Sequence, residues 1–224
     1  MLHRFLLLTT IYLLLSTYYY LLTTIYLLLI VTFSFSLRLM DIMVQNEEAQ
    51  YIARILNGET ECFSVFLDRY GRPLYSLIVQ IVGCPEDAEE LVQDVFLKAF
   101  KNLSGYKGDC IFSTWLYRIA YNTAISATRK KKHEFLYIEE NAINNVPDEK
   151  VATLFEPTDD EERISRLAHA VDLLSVEEKA LITLFYYEEK SIEEVGGILK
   201  LTVANVKVRL YRVRKKLYLL MNEG

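Results

Sequence analysis

The sequence predicts an all-α protein with two small helical domains, residues 44–132 and 166–222, joined by a flexible acidic linker at residues 133–165. After residue 43 the apolar residues recur at helical spacing, and no run alternates as a half-buried strand does. In the linker this spacing is lost, and ten acidic residues occur with only two basic ones. A chain of 224 residues is long enough for two such domains, each with its own core.

Residues 1–39 form a segment of different composition. No charged residue occurs from 5 to 37, and the nine residues LLTTIYLLL occur twice, fourteen residues apart. The repetition favours a translation start at Met40 or Met43, with repetitive upstream sequence read as protein. A membrane anchor is a second interpretation, because a bilayer needs only about 20 apolar residues. A secretory signal is a third, but its apolar core is normally shorter.

Few residues point to catalysis or to metal binding. Cys62, Cys84 and Cys110 form no CxxC pair, and their odd number argues against a disulfide framework. The three histidines are scattered, and no glycine-rich phosphate loop occurs. We therefore expect a reduced, cytoplasmic, non-enzymatic protein with no metal, no cofactor and no small-molecule substrate. The anchor interpretation of residues 1–39 leaves membrane association open.

The segment PEDAEELVQDVFLKAF at 85–100 predicts an amphipathic helix with an acidic face. The polar residues of that face are Asp87, Glu90, Gln93 and Asp94. A first-turn acid interacts favourably with the helix dipole, which accounts for Asp87. Asp94 lies two turns further on, so the dipole does not account for it.

The C-terminal domain predicts a helix-turn-helix. The segments SVEE at 175–178 and SIEE at 191–194 are capping boxes, each of which starts a helix. Thr202 is a suitable first cap for the last helix. The spacing predicts a core stripe of Val203, Val206, Leu210, Val213 and Leu217, and an outer face with Asn205, Lys207, Val208, Arg209, Tyr211, Arg212, Arg214, Lys215 and Lys216.

This last helix has the charge of a polyanion-binding surface. Seven cations and no anion occur between Lys200 and Lys216 in a chain that is acidic overall. Lys207 and Arg209 lie in the first half of the helix, where its dipole disfavours them. Such a helix enters the major groove of DNA, where asparagine pairs with adenine and arginine with guanine. An ordinary basic surface helix is the alternative.

A second basic helix lies within residues 106–132. Its outer face is predicted to hold Tyr117, Arg118, Tyr121 and Asn122, with Arg129 and Lys130 among the cations that follow. Exposed aromatic rings beside cations bind unpaired bases, which stack on the rings, while the cations hold the backbone. Trp115 belongs either to the core or to this stacking surface. The chain therefore combines one surface for duplex DNA with another for separated strands.

Three segments, at 87–100, 106–126 and 191–217, resemble those of the extracytoplasmic-function (ECF) sigma factors of the sigma-70 family. The resemblance implies a non-enzymatic specificity subunit that binds core RNA polymerase, at its β′ clamp helices and β flap, and promoter DNA. It also implies an anti-sigma factor as a partner. The acidic face at Asp87, Glu90, Gln93 and Asp94 would bind polymerase.

The same resemblance assigns the two DNA-binding surfaces. It implies that Tyr117, Arg118, Tyr121 and Asn122 bind the melted −10 element. The chemistry of the neighbouring residues adds Trp115, Arg129 and Lys130 to this surface. The resemblance also implies that Lys207, Val208, Tyr211 and Arg212 meet the −35 duplex. The hydrogen-bonding chemistry of Asn205 and Arg209 adds these two residues to the same surface. The alternative is a stand-alone helix-turn-helix regulator with an unrelated first domain, which accounts for the C-terminal half alone.

Three features depart from the family pattern. Gly196 and Gly197 are adjacent in a helix, where each costs about 1 kcal/mol relative to alanine. Lys200 stands where the turn usually has glycine, so a left-handed lysine is expected. Val208 replaces a commonly polar residue, which predicts an apolar contact with a thymine methyl group.

Overall fold

The structure is a computed structural model that describes residues 2–129, 142–143, 145–152 and 160–222. These residues form helices and connecting loops without a strand among them, which confirms the all-α prediction. The helices are α1 (Leu2–Leu56), α2 (Ser64–Val82), α3 (Pro85–Lys101), α4 (Phe112–Thr128), α5 (Asp148–Ala152), α6 (Glu161–Asp172), α7 (Val176–Ile182), α8 (Ile192–Leu199) and α9 (Val203–Asn222), with a π turn at Thr183–Tyr187.

The chain divides into two compact units, Met1–Tyr51 and Ile52–Gly224. The first unit lies within helix α1, which runs through residues 40–43 without interruption. Its described side chains include large exposed apolar ones such as Leu28 and Phe33. Across the described part of the chain, no helix has both the length and the apolar character that crossing a membrane requires. The three interpretations of the N-terminal segment remain predictions.

In the second unit, helices α2, α3 and α4 pack against one another as a three-helix bundle. Its centre holds Phe66, Leu74, Leu77, Ile78, Ala88, Val95, Ala99, Leu116 and Ala120, all with no exposed surface. At the start of α4, the ring of Phe112 lies 4.4 Å from that of Phe66. Burial stabilises the bundle by about 1.5–3 kcal/mol for each large apolar side chain, and this determines which face of α4 stays outside it.

Helices α6 to α9 form a second bundle, and its helix starts follow the prediction. Ser175 and Ser191 each cap the start of a helix. In both cases the side chain of the glutamate three residues later accepts from the amide of the serine, so both capping boxes form. Lys200 is left-handed at φ 57°, as predicted. The hydroxyl of Thr202 accepts from the amide of Asn205 at 3.2 Å, which caps α9.

The predicted linker contains helical pieces. Helix α5 lies within it and contacts α9. Helix α6 begins at Glu161, several residues before the predicted domain start, because the Asp160 side chain accepts from the amides of Glu162 and Arg163. Residues 130–141, 144 and 153–159 lie outside the described residues.

The two bundles pack against each other within the second unit. Helix α8 lies against α4, and α7 together with the π turn lies against α2. The outer face of α4, which carries the predicted −10-binding residues, is therefore in contact with the helix-turn-helix.

Candidate nucleic-acid interface

An open cavity of about 460 Å³ lies between helices α3 and α4. Its lining residues are Lys98, Asn102, Trp115, Ile119, Asn122, Thr123 and Ser126. Lys98 Nζ donates to the hydroxyl of Thr123 at 3.2 Å, which places a cation in the wall. An indole, amides, hydroxyls and a cation around one opening are groups that stack on an unpaired base and hydrogen-bond to it.

Trp115 both packs against the core and lines this cavity. Its place in the core is therefore shown, and its role in base stacking stays a prediction. Its ring lies 5.6 Å from that of Phe112 and 5.4 Å from that of Tyr106. The hydroxyl of Tyr106 in turn donates to the carbonyl of Cys110 at 2.6 Å. These contacts hold the loop before α4 against the indole.

Tyr117 is buried, whereas the sequence places it on the exposed face. Only 1% of the residue is exposed, and its hydroxyl donates to Glu188 Oε2 at 2.6 Å. Lys190 Nζ lies 4.7 Å from the centroid of its ring. Burial first, and then the Glu188 carboxylate, raise the pKa of Tyr117 far above its usual value of 10. The prediction of exposure fails because the turn between α7 and α8 covers this part of α4.

Tyr121, one helical turn further along, is half-buried. Burial raises its pKa, Glu177 raises it further, and Arg209 and Arg129 lower it. Arg209 of the second bundle is thus within electrostatic range of Tyr121 of the first. The remaining predicted residues are Arg118, which is half-buried, Asn122 and Arg129, which are exposed, and Lys130, which lies outside the described residues.

The predicted duplex-reading residues lie along the exposed face of α9. Asn205, Lys207, Val208, Arg209, Tyr211 and Arg212 are all exposed. Val206 and Leu210 are buried on the opposite face, as predicted. Val203 is 38% exposed rather than buried, since the core stripe starts one turn later at Val206. Val208 is 55% exposed, an apolar side chain within a basic face.

The second half of α9 is bound internally, contrary to the prediction of an outer basic face. Lys216 Nζ lies 2.9 Å from Glu178 Oε2, and Lys215 Nζ lies 3.1 Å from Asp148 Oδ1. Both lysines are buried, because acidic residues distant in the sequence pair with them. The surface available to a polyanion is therefore confined to the first half of the helix.

Asp148 of α5 also contacts the exposed face of α9. The hydroxyl of Tyr211 donates to Asp148 Oδ1 at 2.6 Å. This bond and the one from Lys215 hold the pKa of Asp148 below its usual range. One carboxylate of the acidic linker is thus hydrogen-bonded to Tyr211, a residue that is predicted to read the −35 element.

Helix α3 presents the predicted acidic face. Glu90, Gln93 and Asp94 are exposed and Asp87 is half-buried. Leu97 is 56% exposed and lies three residues after Asp94 and four after Gln93, so it shares their face. Leu97 therefore adds one apolar side chain to this otherwise polar face.

Two family models match the chain. "Sigma-70 region 2" matches residues 66–134, and "Sigma-70, region 4" matches residues 164–217. Together they account for more than half of the chain, in the order in which the two bundles occur. The chain belongs to the ECF sigma factors of the sigma-70 family.

A curated relative gives the same family. The ECF RNA polymerase sigma factor SigW of Bacillus subtilis is 28% identical over 191 residues, which cover 80% of this chain and 96% of SigW. The chain is thus a sigma factor that directs promoter-specific transcription. The stand-alone regulator is not favoured, since region 2 accounts for the half of the chain that this alternative leaves unexplained.

Two solved structures support the fold. The structure of CnrH in complex with the cytosolic domain of CnrY has a TM-score of 0.54 at 22% identity, and covers 78% of this sigma factor and 96% of CnrH. The sigma factor RpoE in complex with the anti-sigma factor NepR from Bartonella quintana has a TM-score of 0.51 at 19% identity, and covers 70% and 95% of the two chains.

The sequence did not identify Ile119, four polar cavity residues of the sigma factor or the exposed Leu97 as parts of a site. The four polar cavity residues are Lys98, Asn102, Thr123 and Ser126. Periodicity identifies the apolar face of each helix, but a cavity between two helices depends on how they are placed. For Leu97 the signal was available, because it follows Asp94 at a spacing of three.

Proposed function

We propose that region 2 melts the −10 element and holds one unpaired base in the cavity between α3 and α4. The observation that carries this proposal is the cavity itself, with Trp115 for stacking and Asn122 for hydrogen bonding at one opening. Lys98 would hold the adjoining phosphate or a base oxygen. Arg118, Tyr121, Arg129 and Lys130 would contact the strand beyond the cavity, and Tyr117 would join them once it is uncovered.

Region 4 reads the −35 duplex with the exposed half of α9. The contacts to phosphates and to guanine come from Lys207, Arg209 and Arg212. Further polar contacts come from Asn205 and Tyr211, and the apolar contact comes from Val208. The opposite face of the helix is anchored in the bundle by Val206 and Leu210, which supports a rigid recognition helix.

The acidic face of α3 binds the β′ clamp helices of core polymerase, and region 4 binds the β flap. Asp87, Glu90, Gln93 and Asp94 supply charge and hydrogen bonds. Leu97, exposed one turn beyond Gln93 and Asp94, supplies an apolar contact beside them. The protein acts in the cytoplasm, where the polymerase is, and has no catalytic chemistry or cofactor of its own.

An anti-sigma factor is the proposed regulatory partner. The RpoE structure described above contains an anti-sigma factor, which supports a partner of this kind for the present chain. The proposed domains are 44–132 and 166–222, with 133–165 between them, so the first extends past its matched residues only at its start and the second only at its end.

Charge reversal on α3 tests the polymerase-binding surface. Asp94→Lys should weaken binding of the full chain to core polymerase at least tenfold, and Leu97→Ala several-fold. Asp68→Lys on α2 is the matched control, since Asp68 is an exposed acid of the same bundle on another helix. Equal affinities for Asp94→Lys, Asp68→Lys and wild type in a titration with labelled sigma factor would contradict the assignment.

A further inference from the structure

We propose that the cavity between α3 and α4 accepts an unpaired base that carries an exocyclic amino group and rejects thymine, and that Asn102 determines this choice. The inference rests on the proposed capture of a −10 base in this cavity, and it adds the chemical class of that base. It follows from the hydrogen bonds that the polar side chains of the wall already make, because those bonds fix which of their atoms remain for a ligand.

Asn102 offers the cavity an acceptor. It follows the last residue of α3, and its side-chain nitrogen Nδ2 donates to the carbonyl of Lys98 at 2.8 Å. The backbone amide of Asn102 donates to the same carbonyl at 3.0 Å, so the residue is held at the helix end by two bonds. With Nδ2 turned toward its own helix, the amide oxygen is the atom that Asn102 presents to a ligand.

Ser126 offers a second acceptor. It lies on α4, and its hydroxyl donates to the carbonyl of Asn122 at 2.7 Å. A serine hydroxyl carries a single proton, so once that proton is donated only the lone pairs of the oxygen remain for a ligand. Two acceptors therefore lie in the cavity wall, one from each side.

Lys98 is the donor of the same wall. Its ammonium group has three protons and donates one of them to the hydroxyl of Thr123 at 3.2 Å, which leaves two for a ligand. Lys98 and Asn102 are four residues apart, so their side chains are neighbours at the end of α3. The amide of Asn122 can present either its oxygen or its nitrogen, so it does not determine the choice of base.

This pattern distinguishes the bases by their N–H donors. Adenine, cytosine and guanine each carry an amino group whose two protons can be accepted by Asn102 and Ser126, and each has an acceptor atom for Lys98. Thymine has one N–H group with a carbonyl on either side of it. It therefore leaves one acceptor of the wall without a donor and places a carbonyl oxygen against it, which should lower its affinity about tenfold.

Asn102→Ala isolates the proposed acceptor. Asn102 is exposed, so the variant loses no core packing and should keep the fold. Asn102→Asp is the conservative variant, because it keeps an acceptor oxygen at the same place and should retain the preference for amino bases. Asn57→Ala is the matched control, since Asn57 is also an exposed asparagine that follows the end of a helix, α1.

The measurement is the affinity of holoenzyme, assembled from core polymerase and the full chain, for promoter probes whose −10 region is unpaired. A scan in which each unpaired base is replaced in turn by an abasic site identifies the captured position, which should show the largest loss. That position is then filled in turn by each of the four bases and by deoxynebularine, which has the ring of adenine without its amino group.

At the captured position, we expect thymine and deoxynebularine to bind about tenfold more weakly than adenine to the wild type, to Asn102→Asp and to Asn57→Ala. In Asn102→Ala both differences should shrink to about twofold or less. Thymine binding the wild type as tightly as adenine, or Asn102→Ala keeping the full difference, would overturn the inference while leaving base capture itself intact. An abasic scan without a sensitive position would overturn base capture and the inference with it.

Discussion

The carboxylate of Glu178 on α7 lies 2.9 Å from the ammonium group of Lys216 on α9. The same oxygen accepts from the amide of Ser175 at 2.8 Å, so one side chain caps α7 and anchors the recognition helix. Lys216 is buried and would be left without this partner if Glu178 were removed. The position of α9 in region 4 therefore depends on Glu178.

Glu178→Ala should destabilise region 4 by about 2 kcal/mol, because the helix cap and the partner of a buried cation are lost together. The measurement is denaturant unfolding of the full chain, followed by circular dichroism. Glu194→Ala is the matched control. It removes the other capping-box glutamate, whose nearest cation lies 3.9 Å away, and should cost only about 1 kcal/mol. Equal losses for the two variants would contradict a special role for Lys216.

Val208 should select a thymine in the −35 element. Replacing that thymine with deoxyuridine removes only the methyl group, and should weaken binding by the holoenzyme about fivefold, in keeping with about 1 kcal/mol for a buried methyl group. Val208→Ser should bind the two duplexes equally. The check is a deoxyuridine scan across the −35 element with both proteins. A wild-type protein insensitive to deoxyuridine at every position would refute the contact.

Asn122→Ala should impair strand separation without affecting the fold. Asn122 is exposed at the cavity, so its loss removes a base contact rather than core packing. We expect about tenfold less permanganate reactivity of −10 thymines at saturating holoenzyme, corresponding to about 1.4 kcal/mol. Arg212→Ala should instead weaken duplex binding. In this variant the permanganate reactivity should recover at high holoenzyme concentration. Full reactivity in Asn122→Ala would exclude the cavity from base capture.

The contribution of Tyr117 to stability should be lost at alkaline pH. Burial first, and then the Glu188 carboxylate, raise the pKa of Tyr117. The stability that the folded chain gains from its neutral hydroxyl is therefore complete below pH 10 and is lost as the pH rises above 10, where the unfolded chain ionises first. The free energy of unfolding, measured with denaturant, should fall above pH 10 in the wild type and fall less steeply in Tyr117→Phe. The same decrease in both proteins would attribute it to other groups.

Local sequence signals predicted the helix starts well. Serine followed three residues later by glutamate identified both capping boxes, and the missing glycine identified Lys200 as left-handed. These features depend on residues within one turn of each other, which the sequence shows directly. The family and the order of its regions followed from three such segments taken together.

Contacts between distant segments were not predictable in the same way. Tyr117 was predicted to be exposed because no residue of its own helix pairs with it. In the structure its hydroxyl donates to Glu188 of the other region. Lys215 and Lys216 looked like DNA contacts for the same reason, although each pairs with an acid from another helix. The spacing of apolar residues shows which face of a helix is polar. It does not show which residues of other segments contact that face.

Run-off transcription is the most direct test of the central claim, that the two regions read separate promoter elements for core polymerase. Purified core polymerase and the full chain would be combined with fragmented genomic DNA from the source. The account predicts discrete transcripts that require the protein and share two upstream motifs. Arg212→Ala should change how strongly transcription depends on the motif further from the start site. Asn122→Ala should change how strongly it depends on the nearer motif. An absence of discrete transcripts, together with a failure to co-elute with core polymerase, would contradict it and return the stand-alone regulator as the better explanation.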